Sequence, residues 1–113
     1  MVKNRENACM IYDNGKTLCI DYELPMFALL GKRYTLLILG VIGNNSTRKN
    51  FNDILNSIPG SSRTIIAKRL KELINAGIIK RNRNKIVSYE LTEAGNKIRK
   101  GIICFLESVD SIG

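Results

Sequence analysis

The sequence predicts a mainly α-helical fold with small β-hairpins, and three observations support this. Apolar residues recur every three to four positions over much of the 113-residue chain, as on the buried face of amphipathic helices. Two pairs of short β-rich runs are each joined by a tight-turn signal. A chain of this length with 44% hydrophobic residues is expected to form one domain with a modest core.

The first pair of β-rich runs predicts an N-terminal hairpin with an Asn-Gly turn at residues 14–15, because both positions tolerate positive φ. The loop length decides how the cysteines are placed. A two-residue loop puts Cys9 across from Ile20. A three-residue loop over residues 13–15 puts Cys9 opposite Cys19, and only that register is expected to permit a cross-strand disulfide.

Two helices are predicted next, over residues 23–30 and 33–42. Pro25 is tolerated in the first turn of a helix, and Gly31 separates the two segments. The second helix has a wide apolar face, formed by Leu36, Leu37, Leu39 and Ile42. Turn residues at positions 43–46 end this helix.

A short third helix is predicted after Asn50, which caps it. Asp53 lies in its first turn, where negative charge is favourable. Its apolar face consists of Phe51, Ile54 and Leu55. Residues 57–60 form a turn.

The fourth helix is predicted from a cap at Ser61 or Ser62 to Ala76, where Gly77 closes it. One stripe of this helix is apolar and faces the core, formed by Ile66, Leu70, Leu73 and Ile74. The opposite side is basic with small residues and carries Arg63, Thr64, Ala67, Lys68 and Lys71. The helix therefore has one side for the core and one for a polar partner.

A second hairpin and a long last helix complete the predicted order. Residues 78–83 and 85–91 alternate in polarity and are joined by a turn near residues 83–84, so the hairpin tip is basic. Thr92 caps a helix over residues 93–110. Its apolar stripe consists of Ile98, Ile102, Phe105, Leu106 and Val109.

Helix, short helix, turn, basic helix and hairpin follow one another as in a winged helix-turn-helix domain. The major groove of DNA admits one α-helix, and a basic hairpin, the wing, can lie on the adjacent backbone or minor groove. The net charge of +8 favours a polyanionic partner. The predicted partner is double-stranded DNA, and the predicted DNA-binding residues are Arg48, Lys49, Asn50, Ser62, Arg63, Thr64, Lys68, Lys71, Arg81, Arg83 and Lys85.

The sequence lacks the residues that other classes of function need. The chain has no histidine and three cysteines, so neither a common metal site nor the usual general base is available. It contains none of the nucleophile, zinc or phosphate-binding motifs of enzymes. No catalytic residue, metal or cofactor is predicted. Without a signal peptide or an apolar stretch long enough for a bilayer, the expected location is cytoplasmic, with no membrane partner.

Four sequence motifs resemble the HxlR-type transcriptional regulators, which are relatives of the MarR family. Residues 31–39 (GKRYTLLIL) resemble the signature GKWTLLIL, and residues 50–54 (NFNDI) resemble RFNEL. The third motif comprises residues 58–62 (IPGSS) together with residues 69–79 (RLKELINAGII), and it is similar to LPGIS…RLRELEEAGLV. Residues 88–95 (SYELTEAG) match YxLTxxG.

The resemblance implies a homodimeric regulator, often a repressor, with dimer contacts from the terminal helices. An apolar stripe in the last helix fits that expectation, although the same stripe could pack on its own domain. The predicted organisation is an arm and hairpin over residues 1–22, a winged helix-turn-helix domain over residues 23–92 and a dimerisation helix over residues 93–113. No particular small-molecule effector is predicted.

Two details concern specificity and redox chemistry. The family's SPR at the head of the fourth helix reads Ser-Arg-Thr here, so the family's base specificity is not carried over. The wing is short and lacks the proline that is common at its tip in the family, so insertion of the wing into the minor groove is not carried over either. Some family members sense oxidants through a cysteine before the first helix. Cys19 lies near that position, so Cys19 and Cys9 are candidate redox residues. A small buried hydrophobe is the alternative role for Cys19, and Cys104 is expected in core or interface packing.

Two further alternatives remain at the level of sequence. A winged-helix protein-interaction module would show an acidic or apolar outer face on its fourth helix, and this face is basic. An RNA-binding protein would show aromatic stacking platforms. Tyr89 is the aromatic residue near the wing, and it is expected to point inward.

Overall fold

The computed structural model describes residues 9–21, 23–46, 49–83 and 85–112. The elements in chain order are β1 Cys9–Asp13, β2 Lys16–Cys19, α1 Pro25–Leu30, α2 Thr35–Ile42, α3 Phe51–Ser57, α4 Arg63–Asn75, β3 Ile79–Arg83, β4 Val87–Leu91 and α5 Glu93–Ile112. The predicted fold class, mainly helical with small antiparallel hairpins, is confirmed. The chain divides into two units, Met1–Gly31 and Lys32–Gly113, and the predicted domain boundaries stay a prediction.

In the first unit, β1 and β2 form the predicted N-terminal hairpin. Asn14 and Gly15 have φ values of 50° and 77°, as a tight two-residue hairpin turn requires. The ladder pairs Ile11 with Leu18 and then Cys9 with Cys19, so one extra residue bulges between Cys9 and Ile11. The two cysteines form a disulfide.

This geometry corrects the expected link between loop length and cysteine pairing. A two-residue loop was expected to separate the cysteines, and a three-residue loop to be needed for a disulfide. The hairpin has the two-residue loop, with Asp13 opposite Lys16. The bulge at Met10 then shifts the register by one residue, and the cysteines meet. The expectation was wrong because it assumed a regular ladder.

The helix α1 follows in the same unit. Pro25 occupies its first turn, as predicted, and Gly31 is the residue after its last turn. The turn before it is held by a hydrogen bond from the Leu24 N–H to the Asp21 carbonyl, at 3.0 Å.

In the second unit, α2 forms the centre of the core. It packs against α3, α5 and β4, and its side chains Ile38, Leu39 and Ile42 are buried. Leu37, which was predicted on the buried face, is 46% exposed, and Ile38 takes its place. Because α2 is apolar on every side, its sequence has no polar face from which the rotation of the helix about its own axis could be predicted.

The helix α2 begins at Thr35, two residues later than predicted, because Tyr34 has a left-handed φ of 72°. The Tyr34 hydroxyl donates a hydrogen bond to the carbonyl oxygen of Gly60, at 3.1 Å. This contact joins the start of α2 to the turn between α3 and α4.

Polar side chains cap three of the helices, as predicted. Asn50 accepts a hydrogen bond from the Asp53 N–H at 2.8 Å, and the Asp53 carboxylate accepts one from the Asn50 N–H at 3.0 Å, which completes a capping box on α3. Ser62 caps α4 by accepting from the Ile65 N–H. Thr92 accepts from the Gly95 N–H at the start of α5, at 3.1 Å.

The start of α5 lies directly against the backbone between α4 and β3. The Thr92 N–H donates to the Ile78 carbonyl at 3.0 Å, and the Thr92 hydroxyl lies 2.7 Å from the Gly77 carbonyl oxygen. A Cβ atom placed on Gly95 would overlap the Ile78 carbonyl oxygen. Glycine is therefore required at position 95, because a side chain would push the helix off its support.

A salt-bridge cluster holds α4 against the segment before α2. The Glu72 carboxylate pairs with the Lys32 ammonium and, at 2.8 Å, with the Arg69 guanidinium. Arg69 also donates to the Arg33 carbonyl oxygen, at 2.9 Å. The hydrogen bond from Lys32 is the main cause that lowers the pKa of Glu72 below its ordinary value, although desolvation opposes it.

We expect Glu72→Gln to lower the free energy of unfolding at pH 7 by about 0.5–1 kcal/mol, the range of partly exposed ion pairs. Because the pKa of Glu72 is lower in the folded protein than in the unfolded chain, this stabilisation is present above the unfolded pKa. It is lost as the pH falls through the folded pKa. The difference between variant and parent should therefore disappear in acid.

Urea unfolding at neutral and acidic pH measures this effect. Glu107→Gln, at an exposed position of α5, removes one carboxylate elsewhere on the surface and is the matched control. If the free energies of unfolding of the parent and of Glu72→Gln differ by the same amount at neutral and at acidic pH, the charge of Glu72 does not provide the stabilisation.

The two halves of α5 have different surroundings. Its first half packs against α2 and β4, and Arg99 donates to the Gly40 carbonyl oxygen at 3.0 Å. Towards its end the apolar side chains are exposed, at 56% for Phe105 and 86% for Ile112. Cys104 is a free, exposed thiol, so the predicted core position for it is wrong, and interface packing remains the prediction.

Candidate nucleic-acid interface

The elements α3 and α4 with the turn between them form a helix-turn-helix. Gly60 has a left-handed φ of 78° in this turn, which glycine adopts without strain. The Ser61 hydroxyl donates to the Ile58 carbonyl oxygen at 2.8 Å, and Ile58 is buried. Hydrogen bonds from the Tyr34 hydroxyl and from the Ser61 hydroxyl thus hold this turn in place. The fixed turn sets the direction of α4 relative to the core.

The outer face of α4 carries the predicted polar side chains. Thr64, Lys68 and Lys71 follow one another at spacings of four and three residues and are all exposed, so they lie on one face. Ala67 is exposed among them, and its small side chain lets a partner approach the helix closely. Ile66, Leu70 and Leu73 on the opposite side are buried, as predicted.

The first turn of α4 is positioned by α3. The Arg63 guanidinium donates to the Asn52 side-chain oxygen at 3.2 Å and lies over the Phe51 ring, 5.7 Å from its centroid. Ser62 caps the helix through its hydroxyl. Because Arg63 is held at the exposed end of the helix-turn-helix, it presents a positive charge beside the helix N-terminus, where backbone N–H groups also favour anions.

The hairpin of β3 and β4 is the predicted wing. Its register pairs Arg81 with Tyr89 and Arg83 with Val87, so both arginines lie on the same face of β3. Tyr89 is buried, which agrees with its predicted inward orientation. Lys85 is exposed beyond the end of β3.

The structure brings some predicted residues together and separates others. Lys71, Arg81 and Arg83 line a single groove of about 870 Å³ between α4 and the wing. Lys49 does not line this groove. Its backbone pairs with that of Tyr89, and its ammonium donates to the Asn44 carbonyl oxygen at 2.7 Å.

Two further predicted DNA-binding residues are Arg48 and Asn50. The side-chain oxygen of Asn50 is engaged in the cap of α3. Arg48 and Asn84 lie outside the described residues.

Sequence reasoning missed two residues of this surface. Lys80 lines the groove and pairs with Glu90 on β4 at 3.1 Å, a cross-strand pair that the register of the hairpin would have shown. Asn52 holds Arg63 from the neighbouring helix. No local sequence signal identifies Asn52, because the contact joins residues on two different helices.

The described residues hold no cluster of histidine, cysteine, aspartate or glutamate suited to a metal ion. Over the same part of the chain, no helix combines the length and the apolar character that a membrane span requires.

Comparison with known proteins agrees with this architecture. Residues 29–111 match the family model for the HxlR-like helix-turn-helix. The HTH-type transcriptional regulator YodB of Bacillus subtilis (strain 168) is 37% identical over 89 residues, which cover 75% of this chain and 77% of YodB.

Two solved structures extend the comparison. A possible HxlR family transcriptional factor from Thermoplasma volcanium GSS1 superposes with a TM-score of 0.86 at 43% identity, over 91% of this chain and 94% of that one. The reduced form of YodB superposes with a TM-score of 0.69 at 31% identity, over 82% and 93%. These relatives are transcription regulators and not enzymes. The chain therefore belongs to the HxlR-like helix-turn-helix family of DNA-binding transcription regulators.

Proposed function

We propose that the protein is a homodimeric repressor that binds a specific sequence of double-stranded DNA. The observation that carries this proposal is the joint basic surface of α4 and the wing, where Lys71, Arg81 and Arg83 line one groove. In this proposal α4 is the recognition helix and enters the major groove. The wing contacts the neighbouring backbone.

The recognition helix supplies both base and phosphate contacts. Thr64 and Lys68 face outward from the middle of the exposed face, where base edges would lie. Ser62 and Arg63 lie at the helix N-terminus, which is suited to a phosphate. Arg81, Arg83 and Lys85 on the wing contact phosphates across the groove, and Arg48, Lys49 and Asn50 are proposed for the flanking backbone.

The exposed end of α5 supports a two-fold dimer. Phe105, Val109 and Ile112 share one side of this helix and are all exposed in the single chain, so a second copy is the natural cover for them. Two recognition helices related by the two-fold would then read half-sites about 34–36 Å apart. The repressor role rests on the family resemblance.

A gel-shift titration tests DNA binding. The protein is mixed with the DNA upstream of its own gene and with an unrelated competitor. We expect a discrete complex that survives the competitor, and a reporter under that upstream region should be expressed less when the protein is present. The absence of any shift at low salt, where non-specific binding also appears, would overturn the DNA-binding interface.

We expect Phe105→Glu to dissociate the dimer, because it places a charge in an apolar contact that has no partner for it. Light scattering after size exclusion should give about twice the chain mass of 12.7 kDa for the parent and the single mass for the variant. Glu107→Gln, on the other side of α5, should remain dimeric. A parent protein that elutes as a monomer at micromolar concentration would contradict the proposed dimer.

The Cys9–Cys19 disulfide favours a second candidate, a redox-sensing form of the same regulator. YodB has been solved in a reduced form, after diamide treatment and bound to a quinone. In this candidate, two thiols become a disulfide, and two electrons and two protons pass to the oxidant. Diamide serves as the oxidant in the test.

The gel shift with diamide and with dithiothreitol distinguishes the two candidates. A redox sensor should lose or gain its DNA complex on oxidation, and Cys19→Ser should abolish that response. If the oxidised and the reduced protein shift DNA equally, the disulfide only stabilises the hairpin and does not regulate DNA binding.

A further inference from the structure

Arg33 carries an exposed guanidinium group that is positioned by the next side chain. Its central carbon lies 4.7 Å from the ring centroid of Tyr34, as when a guanidinium group stacks on an aromatic face. Among the described residues, none forms an ion pair or a hydrogen bond with this guanidinium group. The charge of Arg33 is therefore held in place and is available to a partner.

The segment that carries Arg33 is attached to the helix-turn-helix at two points. The Arg69 guanidinium on α4 donates a hydrogen bond to the Arg33 carbonyl oxygen, at 2.9 Å. The Tyr34 hydroxyl donates to the Gly60 carbonyl oxygen in the turn between α3 and α4, at 3.1 Å. The Tyr34 side chain thus contacts both the Arg33 guanidinium and this turn, so Arg33 has a defined position beside the helix-turn-helix.

The backbone of Tyr34 is strained in a way that permits this stacking. Its φ of 72° is left-handed, which bulky residues rarely adopt. Side chains of consecutive residues in a regular helix do not face each other, so a helical conformation at both residues would not stack Arg33 on the ring. Strained residues of this kind are concentrated at functional sites, which favours a role for the pair beyond packing.

Arg33 lies on the side of α4 that is turned away from the wing. Consecutive residues of a helix are rotated by about 100°, so Ala67, Lys68 and Arg69 point in three different directions. Ala67 lines the groove between α4 and the wing, and Lys68 is on the exposed outer face. Arg69 binds the Arg33 backbone on the far side. The outer face of α4 therefore has the wing on one side and Arg33 on the other.

We propose that Arg33 binds a DNA phosphate on the side of the major groove opposite the wing. This inference rests on the proposed function, in which α4 enters the major groove. A helix in the major groove lies between the two phosphate backbones, so the wing and Arg33 reach different backbones. The guanidinium group binds a phosphate through paired hydrogen bonds. Stacking on Tyr34 reduces the freedom that the Arg33 side chain loses on binding.

Removal of the Arg33 charge should weaken DNA binding. In the proposed dimer Arg33→Ala removes two phosphate contacts, so we expect affinity to fall about 5- to 30-fold at low salt. The slope of log affinity against log salt should become shallower by about 1.8. Lys97→Ala removes the same charge from an exposed position of α5 and is the matched control, which should keep the slope. Fluorescence anisotropy with labelled upstream DNA measures both quantities.

Two further measurements distinguish a phosphate contact from a structural role. Urea unfolding of Arg33→Ala should give a free energy of unfolding close to that of the parent, because the side chain is exposed. Arg33→Lys keeps the charge but lacks the planar guanidinium group. It should keep the parent slope and bind DNA with an affinity between those of the parent and Arg33→Ala. If Arg33→Lys changes the slope as much as Arg33→Ala does, the charge at position 33 does not act on DNA and the proposal is wrong.

Ethylation interference locates the contact on the DNA. Upstream DNA with single ethylated phosphates is separated into bound and free fractions. For the parent protein we expect each half-site to contain an ethylated phosphate that prevents binding and lies across the major groove from the phosphates of the wing. Arg33→Ala should lose the interference at that phosphate alone. Arg81→Ala with Arg83→Ala should lose it at the wing phosphates.

The outcomes separate this inference from the DNA proposal. Parent-like affinity and slope in Arg33→Ala, or equal effects of Arg33→Ala and Lys97→Ala, would overturn the Arg33 contact and leave the proposed function in place. Loss of interference at the same phosphates in the Arg33 and wing variants would overturn the position of Arg33 opposite the wing. A parent protein that binds no DNA would overturn the proposed function and the Arg33 contact together.

Discussion

Replacement of both Arg81 and Arg83 by alanine is expected to lower the affinity for DNA roughly 30- to 1,000-fold at low salt, at 0.5–1 kcal/mol per lost charge. Both side chains are exposed on one face of the wing. A proposed dimer has two wings and therefore loses four cations. Each neutralised phosphate contributes about 0.9 to the slope of log affinity against log salt, so the slope should become shallower by about 3.6.

Fluorescence anisotropy with labelled DNA at several salt concentrations measures both quantities. Lys97→Ala with Lys100→Ala is the matched control, because it removes the same charge from exposed positions of α5. The control should lower affinity only slightly and keep the slope. Equal changes of slope in the two variants would show that overall charge, and not the wing, sets the salt dependence.

The substitution Gly95→Ala is expected to lower the free energy of unfolding by about 2–3 kcal/mol, as overpacking in a tight contact does. The new Cβ would overlap the Ile78 carbonyl oxygen and lie 3.1 Å from a methyl of Leu91. The Ile78 carbonyl cannot move aside easily, because it accepts a hydrogen bond from the Thr92 N–H. The first turn of α5 would therefore have to lift off.

Gly101→Ala, in the same helix, is the matched control. A Cβ there meets open space, and alanine is the better helix former by about 0.5–1 kcal/mol. The two substitutions should therefore change stability in opposite directions in a urea unfolding experiment. A Gly95→Ala variant as stable as the parent would mean that the close approach of helix and backbone is not required.

Local signals predicted most of the secondary structure. The caps at Asn50, Ser62 and Thr92 lie where polar side chains precede apolar periodicity, and each makes the expected hydrogen bond. Such signals act within one helical turn, so the sequence alone contains them. The two-sided character of α4 followed from its 3.6-residue period, and burial of Ile66 and Leu70 confirms it.

Longer-range features were not predictable in this way. The rotation of α2, which buries Ile38 and exposes Leu37, depends on neighbours, because the helix is apolar on every side. The pairing of Lys49 with Tyr89 joins segments forty residues apart. Lys49 does not line the groove between α4 and the wing, and its place beside Tyr89 could not be read from its position before α3.

The sequence by itself determined the order of elements, the caps of α3, α4 and α5 and the basic face of α4, since these depend on residues within a few positions of one another. Tertiary structure decided three further features. A one-residue bulge brought Cys9 opposite Cys19, the packing of α5 made glycine obligatory at position 95, and the wing met α4 to form a groove. The bulge belongs to the ladder between β1 and β2. The other two features depend on the distance between backbones that are farther apart in sequence, and packing within the second unit sets that distance.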